Sequence, residues 1–220
     1  TQKIIEDPMI AKDITSHGNL GAIITNGTAI LGLGHIGALA GLPVMEGKSI
    51  LFKLFGGVDI VPFCVDETDP VKFVRICELI SPIYSIINLE DIKAPECFVI
   101  EKKLKELMNV PVFHDDQHGT AIVTAAALIN ACKLTGRKFE DLKLVVLGAG
   151  SAGIACLALV KSMGVKNALL VDRGGVIYKG RTDGMNEWKE QYAIETSDRT
   201  LEDAMKGADV FYGLSGKGAI

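Results

Sequence analysis

The first part of the chain, to about Gly136, alternates short apolar runs with amphipathic stretches. Such alternation predicts a parallel sheet covered by helices. The runs that carry this prediction are Ile50–Phe55, Val58–Val65, Val71–Ile80 and Val110–Phe113. The first of them is predicted to be an apolar strand. From Asp116 the pattern changes to an Ala-rich apolar helix that runs to about Leu134 and ends at Gly136. We expect this helix to lead from one domain to the next.

The rest of the chain begins with the pattern of a strand, a glycine-rich loop, a helix and a second strand. Lys143–Leu147 predicts a buried strand, the helix reaches Met163, and Ala168–Val171 predicts the second strand. A polar segment follows, and then an acidic helix near Leu201–Lys206 and a strand-like run at Asp209–Leu214. This order is the start of a βαβ fold.

Composition narrows the possible functions. The 220 residues are 48% hydrophobic and carry a net charge of −4, with Lys and Arg scattered, so no nucleic-acid surface is predicted. The longest apolar runs are too short to span a bilayer and no signal peptide is recognisable, which favours a cytoplasmic location. The cysteines are odd in number and lie in apolar stretches without a CxxC pair, so they are predicted to be buried thiols.

The glycine-rich loop has the spacing of a dinucleotide-binding turn. Gly148 permits the tight turn, Gly150 lets a pyrophosphate approach the backbone, and Gly153 allows close helix packing. Phosphates would then lie at the helix N-terminus, where free N–H groups and the helix dipole favour anions. A second match, Gly32–Gly37, lacks an acidic residue at the right distance, and we interpret it as a turn instead.

Asp172 ends the second strand, roughly 20 residues beyond this loop, where an acidic residue accepts hydrogen bonds from the adenosine ribose. This position favours NAD over NADP, since a carboxylate repels a 2′-phosphate. Arg173 weakens the inference because an arginine there can pair with that phosphate. The sequence therefore leaves NAD and NADP both open, with a slight preference for NAD.

Two pairs of acidic residues follow apolar runs in the first part of the chain. Glu90 and Asp91 come after one run, and Asp115 and Asp116 after another, where parallel sheets place their ligand sites. Carboxylates gathered there repel one another without a cation, and oxygen ligands favour Mg²⁺ or Mn²⁺. The ordinary alternatives are a helix cap for the second pair and a solvated loop for the first.

Five segments together closely resemble malic enzymes of the bacterial type, and the glycine loop falls where that family binds its cofactor. These segments are Thr25–Gly27, Ile30–Gly34, Gly41–Lys48, Asn88–Asp91 and Phe113–Ala121. The resemblance implies two domains: a substrate- and metal-binding domain at residues 1–135 and a Rossmann-type NAD(P)-binding domain at residues 136–220. Because Thr1 is not a start methionine and the chain stops after a strand, we expect both domains to be truncated.

The resemblance also implies an activity and the residues that carry it. Malate would be oxidised and decarboxylated to pyruvate and CO₂ by NAD(P), through metal-bound oxaloacetate and enolpyruvate, in a homodimer. Lys48 would be the general base, its pKa lowered by burial or by the cation. The other implied roles are metal ligands for Glu90, Asp91 and Asp116, support for Asp115, and phosphate contacts for Gly148, Ala149, Gly150, Ser151, Ala152 and Gly153.

One departure keeps other functions open. The family's general acid is a tyrosine in a Tyr-Thr-Pro-Gly motif, and this sequence has no such motif. Its four tyrosines are Tyr84, Tyr178, Tyr192 and Tyr212, all in a different context. The alternatives are a malolactic-type enzyme or oxaloacetate decarboxylase, and a cofactor-binding module without catalysis.

Overall fold

A computed structural model describes residues 1–216 and 218, and the chain divides into two compact units, Thr1–Asp115 and the remainder from Asp116. The helices are α1 (Gln2–Glu6), α2 (Ala11–Ile14), α3 (Ala38–Leu51), α4 (Pro70–Ile80), α5 (Glu96–Leu107), α6 (Asp115–Thr135), α7 (Ser151–Ser162), α8 (Glu187–Glu190) and α9 (Leu201–Met205). The strands are β1 (Leu20–Thr25), β2 (Asp59–Cys64), β3 (Ile86–Leu89), β4 (Val112–His114), β5 (Lys143–Leu147), β6 (Asn167–Asp172), β7 (Gly175–Val176) and β8 (Val210–Gly213). In the part of the chain described, no helix combines the length and apolarity needed to cross a membrane.

The first unit is built on a four-stranded parallel sheet in the order β2-β1-β3-β4. Its central strand β1 was not predicted, although its residues Ala22, Ile23 and Ile24 are fully buried. Helices pack on the sheet, as the alternating pattern indicates, and Met45 of α3 and Phe73 of α4 are fully buried. All strands run the same way, so their carboxyl ends meet at one edge of the sheet.

The prediction of a strand at Ile50–Phe55 was wrong. These residues continue α3 into a π-helical turn, Phe52–Gly56, that ends at Gly57 with a φ of 68°. The helix continues because no turn residue interrupts the run before Gly56, and the Phe52 N–H donates to the Lys48 carbonyl. An apolar run of this length cannot be assigned to a strand or a helix by its pattern alone.

The second unit contains the predicted βαβ start. Its sheet has the order β7-β6-β5-β8, with β6, β5 and β8 parallel and the short β7 antiparallel to β6. Helix α7 connects β5 to β6 and buries Ile154, Leu157 and Val160. The prediction of an α/β chain with two successive sheets is thus confirmed.

The long helix α6 belongs to the second unit, so the units divide after Asp115 and not at the predicted boundary of 135/136. Its contacts explain this grouping. The hydroxyl of Tyr212 on β8 donates to the Thr124 carbonyl, and the Thr124 hydroxyl lies 3.4 Å from Cys156 Sγ on α7. The helix itself was predicted at nearly its observed bounds.

The cysteines, all of them within the described residues, are thiols and not disulfides, as expected. Cys77, Cys97, Cys132 and Cys156 are buried and Cys64 is half-buried. Burial raises the pKa of the Cys77 thiol to about 12, so this group stays protonated and unreactive at neutral pH.

Candidate active site

The carboxyl edge of the first sheet gathers the acidic residues singled out from the sequence. Strand β3 ends at Leu89, and Glu90 and Asp91 follow it directly, with only 3% and 6% of their surfaces exposed. The neighbouring strand β4 ends at His114 and is followed by Asp115. Adjacent strand ends therefore bring together carboxylates that lie far apart in the sequence.

Helix α3 brings Lys48 to the same edge. Its Nζ lies 2.7 Å from Asp115 Oδ2 and 3.0 Å from Glu90 Oε1. Burial opposes the charge of this lysine, but the hydrogen bonds to Asp115 and Glu90 outweigh burial and raise the pKa above its ordinary value. The expected lowering of the Lys48 pKa by burial is therefore contradicted, because its two carboxylate partners outweigh the burial.

Glu90, Asp91 and Asp116 each offer a carboxylate oxygen, and these oxygens lie within 4.8 Å of one another. Asp116 is the residue after Asp115 in the first turn of α6, so chain continuity with β4 fixes its place. Burial, with the charge of Glu90, raises the pKa of Asp91 to about 6. Buried oxygen ligands that repel one another fit a hard divalent cation such as Mg²⁺ or Mn²⁺.

A cavity of about 400 Å³ lies beside the lysine. It is lined by Lys48, Leu51, Phe52, Phe55, Gly56 and Asp115. Its wall thus combines an ion pair with apolar side chains. None of the four tyrosines, all of them within the described residues, lines this cavity.

The glycine loop of the second unit has the geometry expected of a dinucleotide turn. A Cβ on Gly153 would lie 1.7 Å from the Gly148 carbonyl oxygen, and one on Gly148 would lie 2.5 Å from the Leu214 oxygen. A Cβ on Gly150, in contrast, would meet nothing within 4 Å. Two of the glycines are therefore required by packing, and the third leaves open space at the N-terminus of α7.

The carboxylate of Asp172 is already engaged. Its Oδ1 accepts from Arg181 Nη2 and its Oδ2 accepts from Lys189 Nζ, both at 2.7 Å. Burial opposes the charge, but these bonds and one from the Gly174 N–H hold the pKa of Asp172 below its ordinary value. Arg181 and Lys189 were missed from the sequence because they lie in the polar segment after Tyr178, which has no periodic pattern.

A second cavity, of about 440 Å³, lies at the carboxyl ends of β5 and β6. Its lining residues include Asp172 and two arginines, Arg173 and Arg199. Arg199 also stacks on the Tyr178 ring at 3.8 Å from the ring centre. The other glycine motif, Gly32–Gly37, forms a turn closed by a bridge between Ile30 and Gly34, in line with its interpretation as a turn.

Comparison with known proteins finds one family in both units. Residues 5–72 match the family described as malic enzyme, N-terminal domain, and residues 117–217 match malic enzyme, NAD binding domain. The chain belongs to the malic enzyme family. An NADP-dependent malic enzyme of Rhizobium meliloti (strain 1021) is 58% identical over 99% of this chain. A bifunctional malic/malolactic enzyme of Bacillus subtilis (strain 168) is 49% identical, also over 99%.

Among solved structures, an NAD-dependent malic enzyme from Thermotoga maritima superposes with a TM-score of 0.94 at 43% identity, over 98% of this chain. The matches span only part of each relative: 29% of the Rhizobium protein, 54% of the Bacillus protein and 58% of the Thermotoga chain. The resemblance inferred from the sequence motifs is thereby confirmed at the level of the malic enzyme family.

Proposed function

We propose that this malic enzyme chain carries the base, the metal ligands and the phosphate loop of an enzyme that oxidises and decarboxylates malate to pyruvate and CO₂. The observation that carries the proposal is the position of Lys48. Its Nζ contacts Asp115 and Glu90 at the edge where Glu90, Asp91 and Asp116 converge. A lysine beside a group of carboxylate oxygens that could bind a metal suits the deprotonation of a hydroxy acid.

Lys48 would take the proton of the C2 hydroxyl of malate as the neutral amine, which requires the charge of a divalent cation to offset the two carboxylates that raise its pKa. The C2 hydride would pass to a bound nicotinamide. Glu90, Asp91 and Asp116 would hold Mg²⁺ or Mn²⁺, which as a Lewis acid supplies stabilisation of negative charge on substrate oxygens during loss of CO₂. Asp115 keeps the lysine ammonium in place through its 2.7 Å bond. The family resemblance assigns the final proton to a tyrosine that this sequence does not include.

The decisive experiment replaces Lys48 in the full-length protein. Lys48→Ala is expected to lower the rate of malate oxidation about a thousandfold, because it removes the general base, while nucleotide affinity stays unchanged. Lys53→Ala, an exposed lysine on the following turn, is the matched control and should retain activity. Retained turnover in Lys48→Ala would contradict the proposed base.

NADP is the proposed cofactor, against the slight preference for NAD drawn from Asp172 alone. Both Asp172 oxygens are engaged by Arg181 and Lys189, so the carboxylate is neutralised and less able to bind the ribose or repel a phosphate. Arg173 and Arg199 line the neighbouring cavity. The kcat/KM for NADP should exceed that for NAD about tenfold, and Arg173→Ser should narrow this ratio. A ratio that favours NAD would overturn the assignment.

A malolactic reaction is the second candidate, because the Bacillus subtilis relative is described as bifunctional malic/malolactic. The two reactions differ in their products. Malate oxidation yields reduced cofactor and pyruvate in equal amounts, whereas the malolactic reaction yields lactate without net reduction. Measuring both products from one reaction mixture separates the candidates.

We also infer a homodimer. Large apolar side chains are exposed on α3 and the π-helical turn that follows it, among them Leu39 at 83%, Leu54 at 70% and Phe55 at 86%. Exposed apolar side chains in such number suit a protein interface. Sedimentation of the full-length protein should give the dimer mass, and Phe55→Glu should shift it toward the monomer. A monomeric unsubstituted protein would contradict this inference.

A further inference from the structure

Asp91 has an unusual backbone for a buried acidic residue. Among the residues that the structure describes, it is the only non-glycine residue with a positive φ, at 55°. This left-handed conformation is unfavourable for most side chains, although aspartate adopts it more readily than most, so the contacts of the surrounding backbone help to hold it. Because Asp91 is also one of the three converging carboxylates, the groups that hold its backbone determine where its oxygens lie.

Two hydrogen bonds from the loop after β1 hold the turn that contains Asp91. The Ala29 N–H donates to the Asp91 carbonyl at 2.9 Å. The Lys93 N–H donates to Thr28 Oγ1 at 3.0 Å. The turn is therefore bonded at Asp91 itself and two residues after it, by two neighbouring positions of one loop.

Thr28 is itself fixed by a second buried side chain. Its hydroxyl donates to Asn26 Oδ1 at 2.7 Å, and Asn26 Nδ2 donates to the Glu67 carbonyl at 3.2 Å. Thr28 and Asn26 are only 5% and 4% exposed. A hydroxyl with one donor and one acceptor partner in a buried site has a single orientation, so it presents its lone pair to Lys93 without rearrangement.

We propose that Thr28 is a positioning residue for the cation site: its hydroxyl, oriented by Asn26, fixes the turn that presents the Asp91 carboxylate to a divalent cation. This inference rests on the proposed function, since it takes Asp91 as a metal ligand. Residues that orient metal ligands affect affinity without touching the metal. The bond between the Lys93 N–H and the Thr28 hydroxyl is part-buried, so loss of the hydroxyl removes an acceptor that water does not fully replace, and the turn shifts to pair the Lys93 N–H elsewhere.

The test measures Mn²⁺ affinity in the full-length protein by electron paramagnetic resonance of free Mn²⁺. Thr28→Val keeps the shape of the side chain but removes both hydrogen bonds, and it should raise the Mn²⁺ dissociation constant about tenfold. Thr28→Ser keeps the hydroxyl and should stay within about twofold of the parent. The KM for Mn²⁺ should rise in Thr28→Val with a smaller change in kcat.

Thr124→Val is the matched control. It removes a hydrogen-bonded hydroxyl from the second unit, where Thr124 Oγ1 donates to the Thr120 carbonyl. Its melting temperature is expected to fall in the same manner as that of Thr28→Val, whereas its Mn²⁺ affinity should not change. A merely structural role for Thr28 would move only the melting temperature.

Two outcomes separate this inference from the proposed function. If Asp91→Asn weakens Mn²⁺ binding and Thr28→Val does not, Thr28 is not a positioning residue, although the cation site stands. If Asp91→Asn leaves Mn²⁺ binding unchanged, the cation site and the inference both fall. Should Thr28→Val fail to fold, Asn26→Ala frees the same hydroxyl from its acceptor, and unchanged Mn²⁺ affinity there would overturn the role.

Discussion

The two sheets of this chain end in edges that are charged in opposite ways. At the first edge Glu90, Asp91 and Asp115 lie near one cation, Lys48, so negative charge is in excess. At the second edge Asp172 lies between Arg181 and Lys189, so positive charge is in excess. The pKa of Asp91 is accordingly raised to about 6, and that of Asp172 is lowered.

Burial does not explain this difference, because it raises the pKa of both carboxyls. The neighbours decide the direction of the shift. Each edge is left with a charge opposite to that of the ligand proposed for it, a divalent cation at the first and a phosphate-bearing nucleotide at the second. The two edges also differ in the groups proposed to contact the ligand. These groups are backbone at Gly148–Gly153 on the second edge and side chains on the first.

The largest effect on stability is expected from adding a side chain at Gly153, a position of the second edge where none fits. Gly153→Ala places a Cβ 1.7 Å from the Gly148 carbonyl oxygen, so the backbone must shift. We expect a loss of about 3 kcal/mol in the free energy of unfolding, measured by urea denaturation, and loss of nucleotide binding. Gly150→Ala is the matched variant, because its Cβ meets open space.

Gly150→Ala should keep the stability to within about 1 kcal/mol and still weaken nucleotide binding, since the added methyl occupies the approach of the phosphates. Equal losses of stability in both variants would show that the loop geometry is not what distinguishes these glycines. Unchanged nucleotide affinity in Gly150→Ala would remove the loop from the cofactor site.

A second test neutralises the excess charge of the first edge. Asp91→Asn should weaken Mn²⁺ binding about a hundredfold, because it removes one anionic ligand. At pH 8, above the pKa of about 6, the ionised Asp91 is unfavourable in the metal-free protein. The variant should therefore be more stable than the parent in the presence of a chelator, by about 1 kcal/mol or more.

Thermal unfolding at pH 8, with and without Mn²⁺, measures both effects of Asp91→Asn. Asp13→Asn, at an exposed carboxylate of α2, serves as the control and should change neither quantity. A metal-free Asp91→Asn protein less stable than the parent would show that the first edge does not carry excess negative charge.

A third test makes the same substitution at the second edge. Asp172→Asn should lower the free energy of unfolding by about 2 kcal/mol at neutral pH, because it leaves Arg181 and Lys189 without their anion. The folded-state pKa of Asp172 lies below its ordinary 3.8, so the stabilisation is complete above that value and is lost as the pH falls through the lowered pKa.

Denaturation of Asp172→Asn between pH 7 and pH 3 checks the sign. The gap between parent and variant should be constant down to about pH 5 and close below about pH 4. A gap that widens on acidification would contradict the opposite charge balance of the two edges. Together with Asp91→Asn, this gives one Asp-to-Asn change that stabilises and one that destabilises.

The positions of the acidic pairs could be predicted because the rule behind them is local. A polar residue directly after a buried parallel strand lies at the ligand edge, and this placed Glu90, Asp91 and Asp115. The glycine loop was predicted for the same reason, with its strand before and its helix after. Lys48 was identified through family motifs, although the strand predicted after it was wrong.

The partners of these residues could not be predicted. Arg181 and Lys189 reach Asp172 from 9 and 17 residues away through a segment without periodicity. The bond from the Lys93 N–H to Thr28 joins positions 65 residues apart. Such contacts depend on how loops fold over one another, and no spacing in the sequence records them.

Arg181 sets a limit on how this chain can be re-engineered. Its buried guanidinium donates to the carbonyls of Gly175, Val176 and Asp183 and to the Asp172 carboxylate. One side chain thus holds the conformation of the loop after β6. Replacing it would change that conformation as well as remove a positive charge. A designer who wishes to switch the cofactor should therefore leave Arg181 untouched and vary the exposed Arg173.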